Sequence, residues 1–136
     1  MSDFVDTNIF LRVIIRDDPI KTIRSSELLA KAERGAIALM TSEAVVLEVV
    51  QVLSSPRRYN MERPLLSTVL QTLIENPGLR LDHKSAIVRA LNLYAVTHLD
   101  FTDCLAIEHA KRAGNGTVYS YDRGIGRVPG VRRLEP

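Results

Sequence analysis

Four acidic residues stand at separate points along the chain where folding could bring their carboxylates together: Asp6, Glu48, Asp103 and Asp122. Hard divalent cations prefer oxygen ligands, and Mg²⁺ in particular takes a few carboxylates and keeps several waters. Carboxylates that converge repel one another unless a cation neutralises them. Two such ions can activate water and stabilise the leaving oxygen of a phosphodiester. These residues therefore predict metal-assisted hydrolysis of a polyanion.

The charge of the chain permits nucleic acid as that polyanion without requiring it. Lys and Arg number 18 and Asp and Glu number 16, for a formal net charge of +2. Basic residues gather near the C-terminal end, where Arg123, Arg127 and Arg132 are candidates for holding RNA phosphates. The alternative for each of these arginines is an ordinary solvated surface position.

Other kinds of site have no support in the sequence. His83, His98 and His109 lack the spacing of metal ligands, and neither a glycine-rich phosphate loop nor a G-x-S-x-G elbow is present. Cys104 is the only cysteine, so an internal disulfide is excluded and a reducing cytoplasm suits the chain. The sequence has no signal-peptide pattern and no apolar run of roughly 18 residues, which predicts a cytoplasmic protein outside the membrane.

Short apolar segments alternate with helical patterns along the whole chain, which is typical of α/β folds. Helices are predicted at 7–16, 19–34, 65–74 and 86–94, and after Asp100; strands are predicted at 4–5, 36–40, 79–81 and 117–121, with an edge strand at 131–134. The β-branched residues between Val45 and Val52 fit a strand as well as a helix, but the Ser42 cap and the stop at Pro56 favour a helix. We expect one domain, residues 1–136, with three α/β/α layers around a short, mainly parallel sheet of four to five strands.

Two of the acids are predicted where ligands bind in such folds. Asp6 directly follows the first strand and Asp122 directly follows the fourth, and parallel sheets bind ligands beyond the carboxyl ends of their strands. Asp6, Asp122 and also Asp103 each have a structural alternative. Asp6 could cap a helix, Asp103 could lie in the first turn of a helix capped by Asp100, and Asp122 could be a turn residue.

Glu48 is the hardest of the four acids to explain structurally. Apolar residues stand on both sides of it, and a charge buried there would need a partner or a shifted pKa. On a helix it would share a face with Ala44 and Gln51, so that exposure to solvent stays open.

Six segments, which correspond to five parts of the family pattern, together resemble the PIN domain family, in the right order and over essentially the whole chain. Residues 4–11 (FVDTNIFL) resemble its opening, residues 41–42 (TS) and 46–53 (VLEVVQVL) its second motif, 100–106 (DFTDCLA) its third, 120–125 (SYDRGI) its fourth and 129–131 (PGV) its ending. The length and the lack of added domains look most like the VapC group of bacterial and archaeal toxins.

The resemblance implies an endoribonuclease dependent on Mg²⁺ or Mn²⁺, paired with a VapB-type antitoxin and assembled as a homodimer. By position, Asp6, Glu48, Asp103 and Asp122 match the family's catalytic, metal-binding acids. Asn8 and Ser120 match polar positions that support the first acid, and Asp100 is a possible fifth acid. Glu43 rivals Glu48, which is preferred because it precedes the motif-like run 49–53. The apolar stripes at 28–29 and 65–74 offer surface for a dimer.

Two other functions remain open at this point. A catalytically silent PIN-like module could bind RNA or a protein without cutting. A metal-dependent phosphatase would also place acids at strand ends, although residues 6–8 (DTN) lack the second aspartate of the common Asp-x-Asp pattern.

Overall fold

The computed structural model describes all 136 residues, and contacts between α-carbons divide them into two compact units, Met1–Lys84 and Ser85–Pro136. Every paired strand in both units is parallel to its neighbour, and helices connect the strands, which confirms the α/β class. None of the helices combines the length and the apolar character needed to cross a membrane.

The first unit contains a three-stranded parallel sheet in which the central strand pairs with the other two. Its elements in chain order are β1 (Asp3–Phe4), α1 (Thr7–Ile15), α2 (Pro19–Glu33), β2 (Leu39–Met40), α3 (Glu43–Ser54), α4 (Arg63–Ile74) and β3 (Leu79–Arg80). In the register, Leu39 of β2 lies opposite Asp3 and Leu79. Parallel neighbours need crossover connections, which the paired helices provide, so the strands end at one edge of the sheet and Asp6 follows β1 there.

The second unit contains two helices and a two-stranded parallel sheet. Its elements are α5 (Lys84–Val96, beginning at the unit boundary), α6 (Phe101–Ala113), β4 (Thr117–Tyr119), a 3-10 helix (Arg123–Arg127) and β5 (Arg132–Leu134). β4 and β5 pair from Thr117 opposite Arg132 to Tyr119 opposite Leu134. The 3-10 helix follows β4 closely, and Asp122 is the residue at its start.

The strands are shorter than predicted and form two sheets instead of one sheet of four to five strands. Ladder-like hydrogen bonds nevertheless continue past the assigned ends of the strands. The amide of Val5 donates to the carbonyl of Met40 (2.8 Å), and that of Thr41 donates to Arg80 (3.0 Å). Val5 is therefore part of the paired segment before Asp6, as the sequence predicts.

Residues 43–54 form a helix, which settles the ambiguity of the β-branched segment. Val45, Val46, Val49 and Val50 are buried, and they recur at the helical spacing that places residues on one face. Ser42 caps the helix by accepting a hydrogen bond from the amide of Val45 (3.4 Å). Burial of this valine stripe outweighs the modest helix propensity of its residues.

The apolar stripe of α4 is core. Leu66, Leu70 and Ile74 are fully buried and Leu29 of α2 is buried, whereas Leu65 is exposed. Each fully buried side chain of this kind stabilises the fold by about 1.5–3 kcal/mol. The suggestion that the segments 28–29 and 65–74 are free to form a dimer surface is therefore wrong for these buried residues, because they already pack inside the protein. Cys104 is buried as well, as its apolar neighbours predict.

Candidate active site

Asp6 and Glu48 are held together in the first unit by Thr7, the first residue of α1. The carboxylate Oδ1 of Asp6 accepts a hydrogen bond of 2.7 Å from the backbone amide of Thr7, which makes Asp6 the N-cap of α1. The hydroxyl of Thr7 donates a hydrogen bond of 2.7 Å to Oε2 of Glu48. Both carboxylates therefore contact Thr7, a residue that is only 4% exposed.

The packing of α1 against α3 brings Glu48 to this position. Glu48 is exposed, as are Ala44 and Gln51, which share its face of α3. The alternative of a solvent-facing Glu48 is thus correct, and its charge needs no compensation for burial. The rival Glu43 lies in the first turn of the same helix, where the positive end of the helix dipole favours an acid.

Asp103 and Asp122 form a second carboxylate pair, in the second unit. Asp103 lies in the first turn of α6, and its carboxyl group shares a hydrogen bond with that of Asp122. Partial burial raises the pKa of Asp103 above its ordinary value, and the charges of Asp122 and Asp100 and that hydrogen bond raise it further. The folded protein therefore concentrates negative charge at this point, at a cost in free energy.

Asp100 and Ser120 support this second pair in different ways. Asp100 occupies the N-cap position of α6, but its side chain makes no capping hydrogen bond, so its exposed carboxylate acts on Asp103 by charge alone. The hydroxyl oxygen of Ser120 accepts a hydrogen bond from the amide of Asp122 (3.0 Å), and Oδ1 of Asp122 accepts one from the amide of Gly124 (2.8 Å). Asp122 is thus a turn residue, as its structural alternative predicted, and this turn sets the orientation of its carboxylate.

The remaining predicted residues are at the surface. Arg123 and Arg127 are exposed on the 3-10 helix and Arg132 is exposed on β5, positions open to a phosphate backbone. Asn8 is exposed on α1, one residue beyond Thr7. Arg133 has a structural role instead: it donates a hydrogen bond of 2.8 Å to the carbonyl of Ser120.

Three residues beside the motif acids were not identified as candidates from the sequence. Thr7 lies inside the first motif, but no feature of the sequence indicates that its hydroxyl binds Glu48. Tyr119 and Tyr121 are 68% and 72% exposed and flank Ser120 beside the second acid pair. Exposed aromatic rings can stack on the bases of single-stranded RNA, and two tyrosines beside a motif acid are the signal that could have identified them.

The carboxylates are chemically suited to bind a divalent cation, although neither unit brings three of them together. In neither unit do three or more Asp, Glu, His or Cys side chains form a group that could hold a metal ion. The carboxylates of both pairs nevertheless offer the hard oxygen ligands that Mg²⁺ and Mn²⁺ accept. Burial is the largest cause of the raised pKa of Asp103, and a cation beside Asp103 would offset the charges of Asp122 and Asp100 that raise it further.

Two comparisons with known proteins bear on this arrangement. The pattern of the PIN domain family matches residues 4–131, a range that includes all four acids. A protein described as VapC ribonuclease from Aquifex aeolicus (strain VF5) is 27% identical over 135 residues, which cover 97% of this chain and 95% of the relative. The chain is therefore similar to that protein along nearly its full length.

Proposed function

The chain belongs to the PIN domain family, and from this premise we propose that it is a metal-dependent endoribonuclease, the toxin of a VapBC-type toxin–antitoxin system. The observation that carries the proposal is the pairing of the four motif acids. Asp6 and Glu48 are joined through Thr7, and Asp103 and Asp122 share a hydrogen bond. The similarity to a protein described as VapC ribonuclease supports the choice of RNA as substrate.

In this proposal Asp6, Glu48, Asp103 and Asp122 hold Mg²⁺ or Mn²⁺. When bound, the cation supplies Lewis-acid chemistry, because it neutralises charge on the phosphodiester and makes water a stronger acid. The protein supplies the orientation of the ligands. Thr7 fixes the carboxylate of Glu48, and the turn at Ser120 and Gly124 fixes that of Asp122.

Asp103 contributes a proton-dependent step to cation binding. Its raised pKa means that it holds a proton more tightly than an ordinary aspartate, and that proton must leave before both carboxylates of the pair can bind a cation. Cation affinity is thus expected to increase with pH through the titration of Asp103. Asp100 adds negative charge nearby and strengthens the attraction for a cation.

Arginine and tyrosine side chains of the second unit are proposed to bind the RNA. The exposed Arg123, Arg127 and Arg132 would contact phosphates, which position a nucleic acid without reading its sequence. Tyr119 and Tyr121 would stack on unpaired bases. We further propose that the protein acts in the cytoplasm as a homodimer, and that a VapB-type antitoxin covers the acids.

The direct test is cleavage of RNA by the purified protein. We expect cleavage with Mg²⁺ or Mn²⁺, none with a chelator, and none by Asp6→Asn. This variant keeps the side-chain oxygen that caps α1, so its fold is expected to persist. Equal cleavage by wild type and Asp6→Asn, or no metal-dependent cleavage by the wild type, would contradict the proposal.

One observation favours the alternative of a catalytically silent binding module: neither unit contains a group of three metal-ligating side chains. Titration with Mn²⁺ distinguishes the two functions. A ligand that binds only the folded state raises stability, by about 2.7 kcal/mol at a hundredfold excess over its Kd. A metal-dependent rise in the unfolding midpoint that is smaller in Asp122→Asn supports the nuclease, and an unchanged midpoint supports the silent module.

A further inference from the structure

A cavity of about 640 Å³ lies beside Asp122, entirely within the second unit. Its apolar lining includes Leu93 and Val96 from α5, together with Leu99 and Val128. Leu99 and Val128 are buried, whereas Val96 is 81% exposed at the end of its helix. Pockets for small organic groups are clefts of about 300–1,000 Å³ with mostly apolar walls, so this cavity has the size and lining to hold one.

Polar groups enter the lining on the side of the acids. Asp122 belongs both to the cavity and to the carboxylate pair with Asp103, so a molecule seated in the cavity lies next to that pair. Arg127 supplies a permanent positive charge to the lining, and Thr97 and His98 supply further polar atoms. A guanidinium group is suited to binding phosphate and to stacking on a planar ring.

Gly124 brings the apolar and acidic parts of the cavity together. A Cβ atom at this position would lie 3.1 Å from Oδ1 of Asp122 and 3.2 Å from Cδ2 of Leu99. Because glycine lacks that atom, the carboxylate and the apolar floor approach each other closely. The cavity therefore combines an apolar surface, the guanidinium group of Arg127 and the carboxylate of Asp122.

We propose that this cavity is a nucleoside subsite, which holds the base and sugar next to the phosphodiester that is cut. A nucleotide matches the apolar and the basic parts of the lining: its base has apolar faces for Leu99 and Val128, and its phosphate complements Arg127. The inference rests on the proposed function and adds a consequence to it. Cleavage should depend on the identity of the nucleotide at one position beside the cut.

Nucleotide binding can be measured without cleavage. The four nucleoside 5′-monophosphates would be titrated, with a chelator present, into the full chain labelled with ¹⁵N, and amide shifts would be followed by NMR. We expect saturable shifts at Val96, Leu99 and Gly124 for at least one nucleotide. In Val96→Glu, whose new charge would repel the phosphate, the Kd should rise about tenfold, the lower end of what apolar pockets discriminate.

Ser85→Glu is the matched control, because it adds the same charge at an exposed position of the same helix outside the cavity. Its nucleotide affinity should equal that of the wild type, and both variants should keep the wild-type unfolding midpoint. The inference is overturned if no nucleotide shifts these amides, or if the two variants bind nucleotides equally well.

A cleavage assay separates this inference from the proposed function. Its substrate is a mixture of RNAs in which every nucleotide occurs at each position around the cut. In Val96→Glu we expect KM to rise about tenfold, kcat to change little and the nucleotide preference at one position to flatten. A wild type that cuts RNA but binds no nucleotide in the cavity overturns the subsite alone. A wild type that binds nucleotides there but never cuts RNA overturns the proposed function and leaves a nucleotide site.

Discussion

The hydroxyl of Thr7 donates a hydrogen bond of 2.7 Å to Oε2 of Glu48, which joins the first turn of α1 to α3 across 41 residues of sequence. The backbone amide of the same threonine binds the carboxylate of Asp6. One buried residue thus sets the position of two of the four motif acids. A rigid support of this kind keeps ligands in place before a cation binds.

Thr7→Val should lower RNA cleavage by about 10–100-fold, the usual cost of losing a group that orients a metal ligand. Valine has the shape of threonine but cannot donate to Glu48. The folded state should lose no more than about 1.5 kcal/mol, since water can replace the hydroxyl at the exposed carboxylate. Cleavage rates and urea unfolding measure the two effects. Thr7→Ser retains the hydroxyl and should remain active, whereas full activity in Thr7→Val would show that the bond is unimportant.

Glu48→Gln should reduce cleavage by more than about tenfold, because loss of a proposed ligand must cost at least as much as loss of its support. Glu43→Gln, in the same helix, should leave most of the activity intact. The comparison removes one negative charge in each variant and so controls for net charge. Rates measured at saturating Mg²⁺ would decide between them, and the reverse order would identify Glu43 as the ligand.

Asp103→Asn should stabilise the metal-free protein at neutral pH. The raised pKa of Asp103 means that the folded state binds its proton more tightly than the unfolded chain does. Stability of the wild type therefore falls as pH rises from the ordinary value of 3.8 through the raised pKa. The variant does not titrate there, so its advantage should grow over this range and be absent below it.

Urea unfolding from about pH 3.5 to pH 7 with a chelator measures this difference, the lower limit lying below the ordinary pKa of aspartate. Asp82→Asn, at an exposed position in the first unit, is the control for loss of one negative charge. An advantage of Asp103→Asn that is the same at both ends of the range would show that the titration of Asp103 is not its cause.

Replacing Arg123 or Arg132 with glutamine should weaken RNA binding at low salt and reduce its salt dependence. Each phosphate contact on a single strand contributes about 0.7 to the slope of log K against log salt concentration. Fluorescence anisotropy of a labelled single-stranded RNA, without divalent metal, gives that slope. Arg34→Gln, which removes an exposed cation of the first unit, should leave it unchanged. An unchanged slope in both test variants would show that neither Arg123 nor Arg132 contacts an RNA phosphate.

Tyr121→Ala should weaken binding of single-stranded RNA by about 1–3 kcal/mol if its exposed ring stacks on a base. The salt dependence should stay as in the wild type, since stacking releases no counterions. Tyr121→Phe keeps the ring and should restore most of the affinity. If phenylalanine and alanine weaken binding equally, the hydroxyl and not the ring makes the contact.

Most of the secondary structure follows from local signals in the sequence. Pro19 begins α2, Ser42 caps α3 and the apolar stripe of α4 appears at helical spacing, and each is found as predicted. The lengths of the strands were less predictable. The predicted strands include residues 36–38 and 120–121, whereas the strands themselves are confined to 39–40 and 117–119, where residues pair regularly with the neighbouring strand.

The sequence by itself determined which elements bear the four motif acids, because motif spacing and hydrophobic periodicity can be read from a single chain without its fold. Only the tertiary structure decided that Glu48 faces solvent, that Thr7 supports it, and that Asp103 and Asp122 share a hydrogen bond. Those relationships depend on how α1 packs against α3 and on how the turn after β4 meets α6. Packing between distant segments is set by the whole core, so short patterns in the sequence do not specify such contacts.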